Sequence, residues 1–189
     1  MSPRTVLVLG GVRAGKSAFA VGRARAHGGR VAFVATAEAG DEEMAARIAR
    51  HRAERPPAWR TVEAPVALTS ALAALEGEAD VVVVDCLNLW VANLLDKRPE
   101  LTDSGLLAEA AQLEAAARRP RFSLILVSNE VGWGIHPATE LGRRFRDALG
   151  LVNQAVARAA DEVVLMVAGC PLVVKPVDAH ASPEGGRLR

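Results

Sequence analysis

Gly10, Gly15, Lys16 and Ser17 stand in the spacing G-x-x-x-x-G-K-S, filled in by Gly11, Val12, Arg13 and Ala14. This is the pattern of a loop that wraps a phosphate. Glycines let successive backbone N–H groups turn toward an anion because no Cβ blocks the approach. A helix starting at about Lys16 adds its positive N-terminal end. The Lys16 ammonium can reach β- and γ-phosphates, and the Ser17 hydroxyl can enter a Mg²⁺ shell. A glycine-rich strand-to-helix turn without a ligand is the bland alternative. The context opposes it: an apolar run (Val6 to Leu9) precedes the loop, and a proline-free helical stretch, AFAVGRARA, follows.

Such a loop works only if a sheet holds it, and the chain alternates strand-like with helix-like segments. Strands are expected at about 5–9, 30–36, 60–63, 81–86, 123–129 and 162–169, with an edge strand at 172–175. Helices are expected at about 16–26, 42–55, 66–76, 87–95, 102–117 and 138–160, with Asp41 placed to cap the second. Strands lacking polar alternation, separated by helices, imply an α/β fold: a mostly parallel sheet with helices on both faces. Ligands of such sheets lie beyond the carboxyl ends of the strands.

The residues that follow each strand are therefore the candidates. Asp85 ends VVVVDC, where an acid can hold Mg²⁺ opposite Ser17 or cap the next helix. Thr36, between Ala35 and Ala37, ends the second strand and leaves room for a ligand. Ser128, Asn129 and Glu130 end SLILVSN and lead into glycine-rich VGWGIHP; they make either a site or a capping turn. The stretch RIARHRAERPPAWR sets Arg47, Arg50, Arg52, Arg55 and Arg60 around His51. On a helix Met44, Ile48 and His51 share a face. Residue types alone favour a half-buried histidine with solvated arginines. The sharper reading is a nucleophile kept neutral by surrounding positive charge.

Composition bounds the rest. The chain has 189 residues, half of them hydrophobic and 24% charged, at a net charge of +1. That suits one globular domain over residues 1–176 and supplies no global field for nucleic acid or membrane. The 2 cysteines, Cys86 and Cys170, form neither a disulfide framework nor a metal quartet, which fits a reducing cytoplasm. The first strand starts too early for a signal peptide, no apolar run is long enough to span a membrane, and the tail 177–189 is expected to be flexible.

GGVRAGKS, the block FVATAEAGDEEMAARIARHRAERPPAWRTVE, VVVDCLNLWVANLL, and the segment from VSNEVGWGIHP to VVLMVAG together resemble one family. It is the bifunctional adenosylcobinamide kinase/adenosylcobinamide-phosphate guanylyltransferase family of cobalamin biosynthesis. The similarity runs from about residue 5 to 175, and the EMAARI block is its most distinctive part. The resemblance implies a RecA-like P-loop fold, a homotrimer, Mg²⁺, and ATP and GTP as substrates beside adenosylcobinamide and its phosphate. It places the guanylylated histidine on His51, which reverses the reading from residue types. It places nucleotide contacts on Gly10–Ser17, Ala35, Thr36, Ala37, Arg52, Ala53, Glu54, Arg55, Glu63 and Asp85, with Lys16 catalytic and Ser17 and Asp85 on the metal. The position of Asp85 is an acid in the family. His136 departs from the pattern, which has an apolar residue there. The rival readings are a P-loop small-molecule kinase without the transferase step, a RecA-like regulatory ATPase, and a non-catalytic nucleotide-binding module.

Overall fold

The computed structural model describes residues 2–40, 42–53 and 55–177, without the side chains at 43, 44, 47 and 51. The elements run β1 (Thr5–Gly10), α1 (Lys16–His27), β2 (Val31–Ala35), α2 (Glu42–Ala53), β3 (Arg60–Glu63), α3 (Leu68–Ala73) and β4 (Val81–Asp85). They continue with α4 (Leu87–Lys97), α5 (Asp103–Arg118), β5 (Ser123–Val127), α6 (Glu140–Ala159), β6 (Glu162–Val167) and β7 (Cys170–Lys175). The expected Asp41 cap lies outside the described residues.

The strands form one sheet in the order β3-β2-β4-β5-β1-β6-β7. All neighbours are parallel except β6 and β7, which pair antiparallel. Val6, Val8, Val81, Val83, Ile125 and Val127 point to one face, where Ala20 and Ala24 of α1 pack on them. The alternate residues Leu7, Val82, Val84, Leu124 and Leu126 point to the other face, under α3 to α6. The period of two along each strand thus feeds two cores. Small residues on α1 let it approach the sheet closely, whereas Trp90, Leu94, Leu113 and Leu149 fill the thicker layer opposite.

Several boundaries differ from expectation, with β5 and β6 each ending two residues early, and three of the differences have a visible cause. The third helix is confined to Leu68–Ala73 because Leu75 and Glu76 hydrogen-bond three residues back, in the tighter pattern of a helix end. The edge strand begins at Cys170 and contains Pro171, which an outer strand tolerates because one of its sides needs no ladder bond. The fourth helix extends through Lys97, whose ammonium pairs with Glu38 at 2.5 Å.

The connections place the site. After β1 the chain enters α1 on one face, and after β5 it enters α6 on the other. Strands β1 and β5 are neighbours. The carboxyl ends of adjacent strands whose connections diverge leave a crevice, and here it falls between the glycine loop and the segment after β5.

Candidate active site

Strand β1 ends at Gly10, whose φ is +148° and whose hypothetical Cβ would lie 2.6 Å from the Met166 carbonyl oxygen. No side chain fits there, so β6 sets how the loop leaves the sheet. At the other end Gly15 caps α1 at φ +95°, with its hypothetical Cβ 3.3 Å from Cα of Gly169. The Gly169 amide donates to the Ala14 carbonyl at 3.1 Å. Ala168 and Gly169, the β6–β7 turn, both have positive φ and brace the phosphate loop from behind. The turn was absent from the sequence reading; its signal was an Ala-Gly pair after an apolar strand. Lys16 is buried, with Nζ donating to the Gly11 carbonyl at 2.6 Å. The first turn of α1 holds no acidic residue and Gly15 offers no side-chain cap, which leaves the helix N-terminus suited to an anion.

Asp85 lies across the crevice. Its strand, β4, is separated from β1 by β5, yet Asp85 and Ser17 line the same cavity of about 270 Å³. Phe33 and Arg55 line it too, with Ala18, Val21, Gly22 and Arg25 of α1, and the Arg55 guanidinium stands 3.7 Å from the Phe33 ring centroid. Burial lowers the Arg55 pKa; Asp85 opposes the shift, and Arg52 adds to it. A hydroxyl and a carboxylate facing one space beside a phosphate loop are hard oxygen donors, the set that Mg²⁺ takes together with phosphate oxygens and water.

Thr36 is tied to the segment that follows β4. It is fully buried, and its hydroxyl accepts from the Cys86 amide at 2.8 Å and donates to the Cys86 carbonyl at 2.7 Å. Its carbonyl accepts from Asn93 Nδ2 at 2.8 Å. It therefore fixes the backbone just after Asp85. Ala35 and Ala37 flank it half-buried, and Glu63 is exposed at the end of β3, in register with Ala35.

Beyond β5, Ser128 and Glu130 have different tasks. Ser128 is buried and donates to Asn153 Oδ1 at 2.6 Å, while Asn153 Nδ2 donates to the Asn129 carbonyl at 3.0 Å. This pair locks the turn to α6. Asn153 was missed because nothing in a helical run marks which polar residue faces inward. The Glu130 amide donates to the Gly10 carbonyl at 3.2 Å, and its carboxylate accepts from the Gly132 amide at 3.1 Å. Glu130 thus sits at the mouth of the phosphate loop. His136, the departure from the family pattern, receives a hydrogen bond from Arg146 Nη1 at Nδ1 over 3.2 Å.

Helix α2 carries His51. Arg52 and Ala53 on it are exposed and Ile48 is half-buried. The side chains of His51 and Met44, and the whole of Glu54, lie outside the description. Ser17, Asp85 and Arg55 are therefore brought to one cavity, and α2 follows the strand next to Asp85.

The model of the family described as cobinamide kinase / cobinamide phosphate guanyltransferase matches residues 6–174. The chain belongs to this family. It is 44% identical over 170 residues to the bifunctional adenosylcobalamin biosynthesis protein CobP of Pseudomonas aeruginosa, covering 89% of this chain and 96% of that protein. It is 41% identical over 180 residues to the corresponding protein CobU of Escherichia coli, covering 90% and 99%. Among solved structures, an ATPase of a type III secretion system superposes at TM-score 0.53 with 12% identity, over 86% of this chain and 50% of that one. The RadB recombinase superposes at TM-score 0.50 with 17% identity, over 87% and 74%. These likenesses establish the RecA-like P-loop architecture for this cobinamide kinase/guanyltransferase. None of the described helices is long and apolar enough to cross a membrane.

Proposed function

We propose that this enzyme performs both reactions of its family in cobalamin nucleotide-loop assembly, using Gly10–Ser17 as the triphosphate cradle and His51 as the carrier of the guanylyl group. The observation that supports it most is the convergence of Ser17, Asp85 and Arg55 on one cavity beside the buried Lys16. These groups are far apart in sequence, and a plain βα turn needs none of them.

In the kinase reaction, the hydroxyl oxygen on the aminopropanol arm of adenosylcobinamide attacks the γ-phosphorus of ATP or GTP. The bond from that phosphorus to the β-phosphate oxygen breaks, and the nucleoside diphosphate leaves with the electron pair. Glu130, at the mouth of the loop, is placed to take the hydroxyl proton. Lys16 and the N-terminus of α1 hold the phosphates in line, since such transfers depend mainly on positioning and charge stabilisation. Ser17 and Asp85 would hold Mg²⁺, which when bound neutralises charge on the phosphate oxygens.

In the guanylyl reaction, a ring nitrogen of neutral His51 attacks the α-phosphorus of GTP and pyrophosphate departs. A phosphate oxygen of adenosylcobinamide phosphate then attacks the same phosphorus, and the P–N bond breaks back to imidazole. The product is adenosylcobinamide-GDP. The covalent carrier replaces one displacement between two anions with two steps, each of which has a neutral partner. Arg52 and Arg55, one and four positions after His51 in the chain, attract the triphosphate. The protein acts in the cytoplasm as a homotrimer, three times the 19.9 kDa of one chain.

Incubation with GTP labelled at the α-phosphate tests the carrier. Acid-labile, alkali-stable label is expected on the wild type and absent from His51→Ala. Label that persists in the variant identifies another nucleophile; no label on the wild type leaves a kinase alone.

A further inference from the structure

Strand β5 lies between β1, which delivers the phosphate loop, and β4, which delivers Asp85. Val127 is the register partner of Val8 on one side and of Asp85 on the other. The parallel ladder continues past it. The Ser128 amide donates to the Val8 carbonyl at 2.9 Å, and the Glu130 amide to the Gly10 carbonyl at 3.2 Å. Alternate amides bonding alternate carbonyls is the parallel-strand pattern, so side chains here still point to the two faces in turn. Ser128 follows this rule, since its hydroxyl reaches Asn153 of α6 on the face of Leu124 and Leu126. Asn129 therefore belongs to the opposite face, with Ile125 and Val127, which α1 covers and on which Asp85 lines a cavity with Ser17. Asn129 is half-buried. Its carbonyl is held by Asn153 Nδ2 at 3.0 Å, whereas its side-chain amide makes no hydrogen bond among the described residues. It does not cap the turn either, because Glu130 takes the Gly132 amide.

We infer that Asn129 is a further binding residue for the phosphoryl transfer, its Nδ2 donating to an oxygen of the nucleotide's terminal phosphate, an inference that rests on the triphosphate cradle proposed above. The loop leaves β1 and the carboxylate sharing a cavity with Ser17 ends β4, so whatever spans the two crosses the end of β5. Asn129 is the side chain that β5 turns to that face at that level. By register its Cα stands one strand spacing, about 4.8 Å, from that of Gly10 and roughly 8 Å from that of Asp85. Its backbone is fixed on both sides, by Asn153 and by the bonds to β1, so the amide is held in place before any ligand arrives. A nucleoside diphosphate lacks the group that Asn129 contacts. The residue therefore separates triphosphate from diphosphate, which Lys16 and the N-terminus of α1 alone do not.

Calorimetric titration of the full chain with ATP carrying a β,γ-imido bridge, and with ADP, tests this without corrinoid or turnover; neither nucleotide is a guanylyl donor. Asn129→Ala should raise the Kd of the triphosphate analogue by about tenfold or more and that of ADP by less than about twofold, as one hydrogen bond to a charged group implies. Asn129→Asp, of the same size, should weaken the analogue further by setting a carboxylate against phosphate. Equal losses for both nucleotides would make Asn129 a residue that only shapes the loop, and an unchanged Kd for the analogue would mean that it faces no phosphate. Either overturns the inference, as does a wild type that binds neither nucleotide. Labelling by α-labelled GTP reports separately on His51: its absence from the wild type would sink the guanylyl reading, while the ratio of the two dissociation constants still decides Asn129.

Discussion

Thr36 has no exposed surface, yet its one hydroxyl makes two hydrogen bonds to a single residue, Cys86. Valine has the same shape and would leave the Cys86 amide and carbonyl without that partner. Thr36→Val is expected to destabilise the fold by about 1–3 kcal/mol, read as a lower urea midpoint, while Thr36→Ser should stay close to wild type. If Thr36 acts by positioning Asp85, the valine variant should also lose kcat more than nucleotide affinity. The opposite split would mean that the hydroxyl touches nucleotide directly. Arg55 illustrates the same scale: its position above Phe33 was invisible in a run of arginines, because only the fold shows which one turns inward.

The phosphate loop is shaped by a neighbouring element. Gly10→Ala would drive a methyl into the Met166 carbonyl at 2.6 Å, so β6 or the loop has to move. Nucleotide affinity should fall by about a hundredfold or more, measured by titration with GTP. Gly150 in α6 is the contrast, with nothing within 4 Å of its hypothetical Cβ. Gly150→Ala should stabilise the fold by about 0.5–1 kcal/mol through helix propensity alone.

At the amino ends of the strands, Asp80 accepts from the Arg30 amide at 2.8 Å and from its guanidinium at 3.1 Å, tying the start of β4 to β2. Hydrogen bonds from the Arg30 side chain, then its backbone, hold the Asp80 carboxyl below its ordinary pKa. A depressed folded pKa means stabilisation that is present above the ordinary carboxylate pKa and lost as pH falls through the depressed value. Asp80→Asn should therefore unfold more readily than wild type at pH 7, with the gap closing in strong acid. A gap independent of pH would show that the ion pair is not its source. Both groups are exposed to water, so the effect is small.

Across the whole molecule, stability is unevenly distributed. Helix α4 buries Leu87, Trp90, Val91, Leu94 and Leu95, whereas the described side chains of α2 are exposed apart from half-buried Ile48. Amide exchange should therefore be much faster in α2 than in α4. If His51 reaches the α-phosphate, GTP should slow exchange in α2. Protection confined to the phosphate loop would separate α2 from the nucleotide.

Local patterning made the strands, the phosphate loop and Asp85 legible, since an apolar run, a glycine spacing and an acid after a strand are each contiguous in the chain. The motif blocks placed the family on the same footing, before any coordinates. Contacts between segments far apart in the chain leave no such trace. The Ala168–Gly169 brace behind the phosphate loop, Asn153 locking Ser128, Thr36 clasping Cys86, and Arg55 joining Ser17 and Asp85 in one cavity each depend on how strands are ordered in the sheet. That order is a tertiary property: with β5 between β1 and β4, residues on nonadjacent strands meet at one crevice only because all three run parallel and end on the same side.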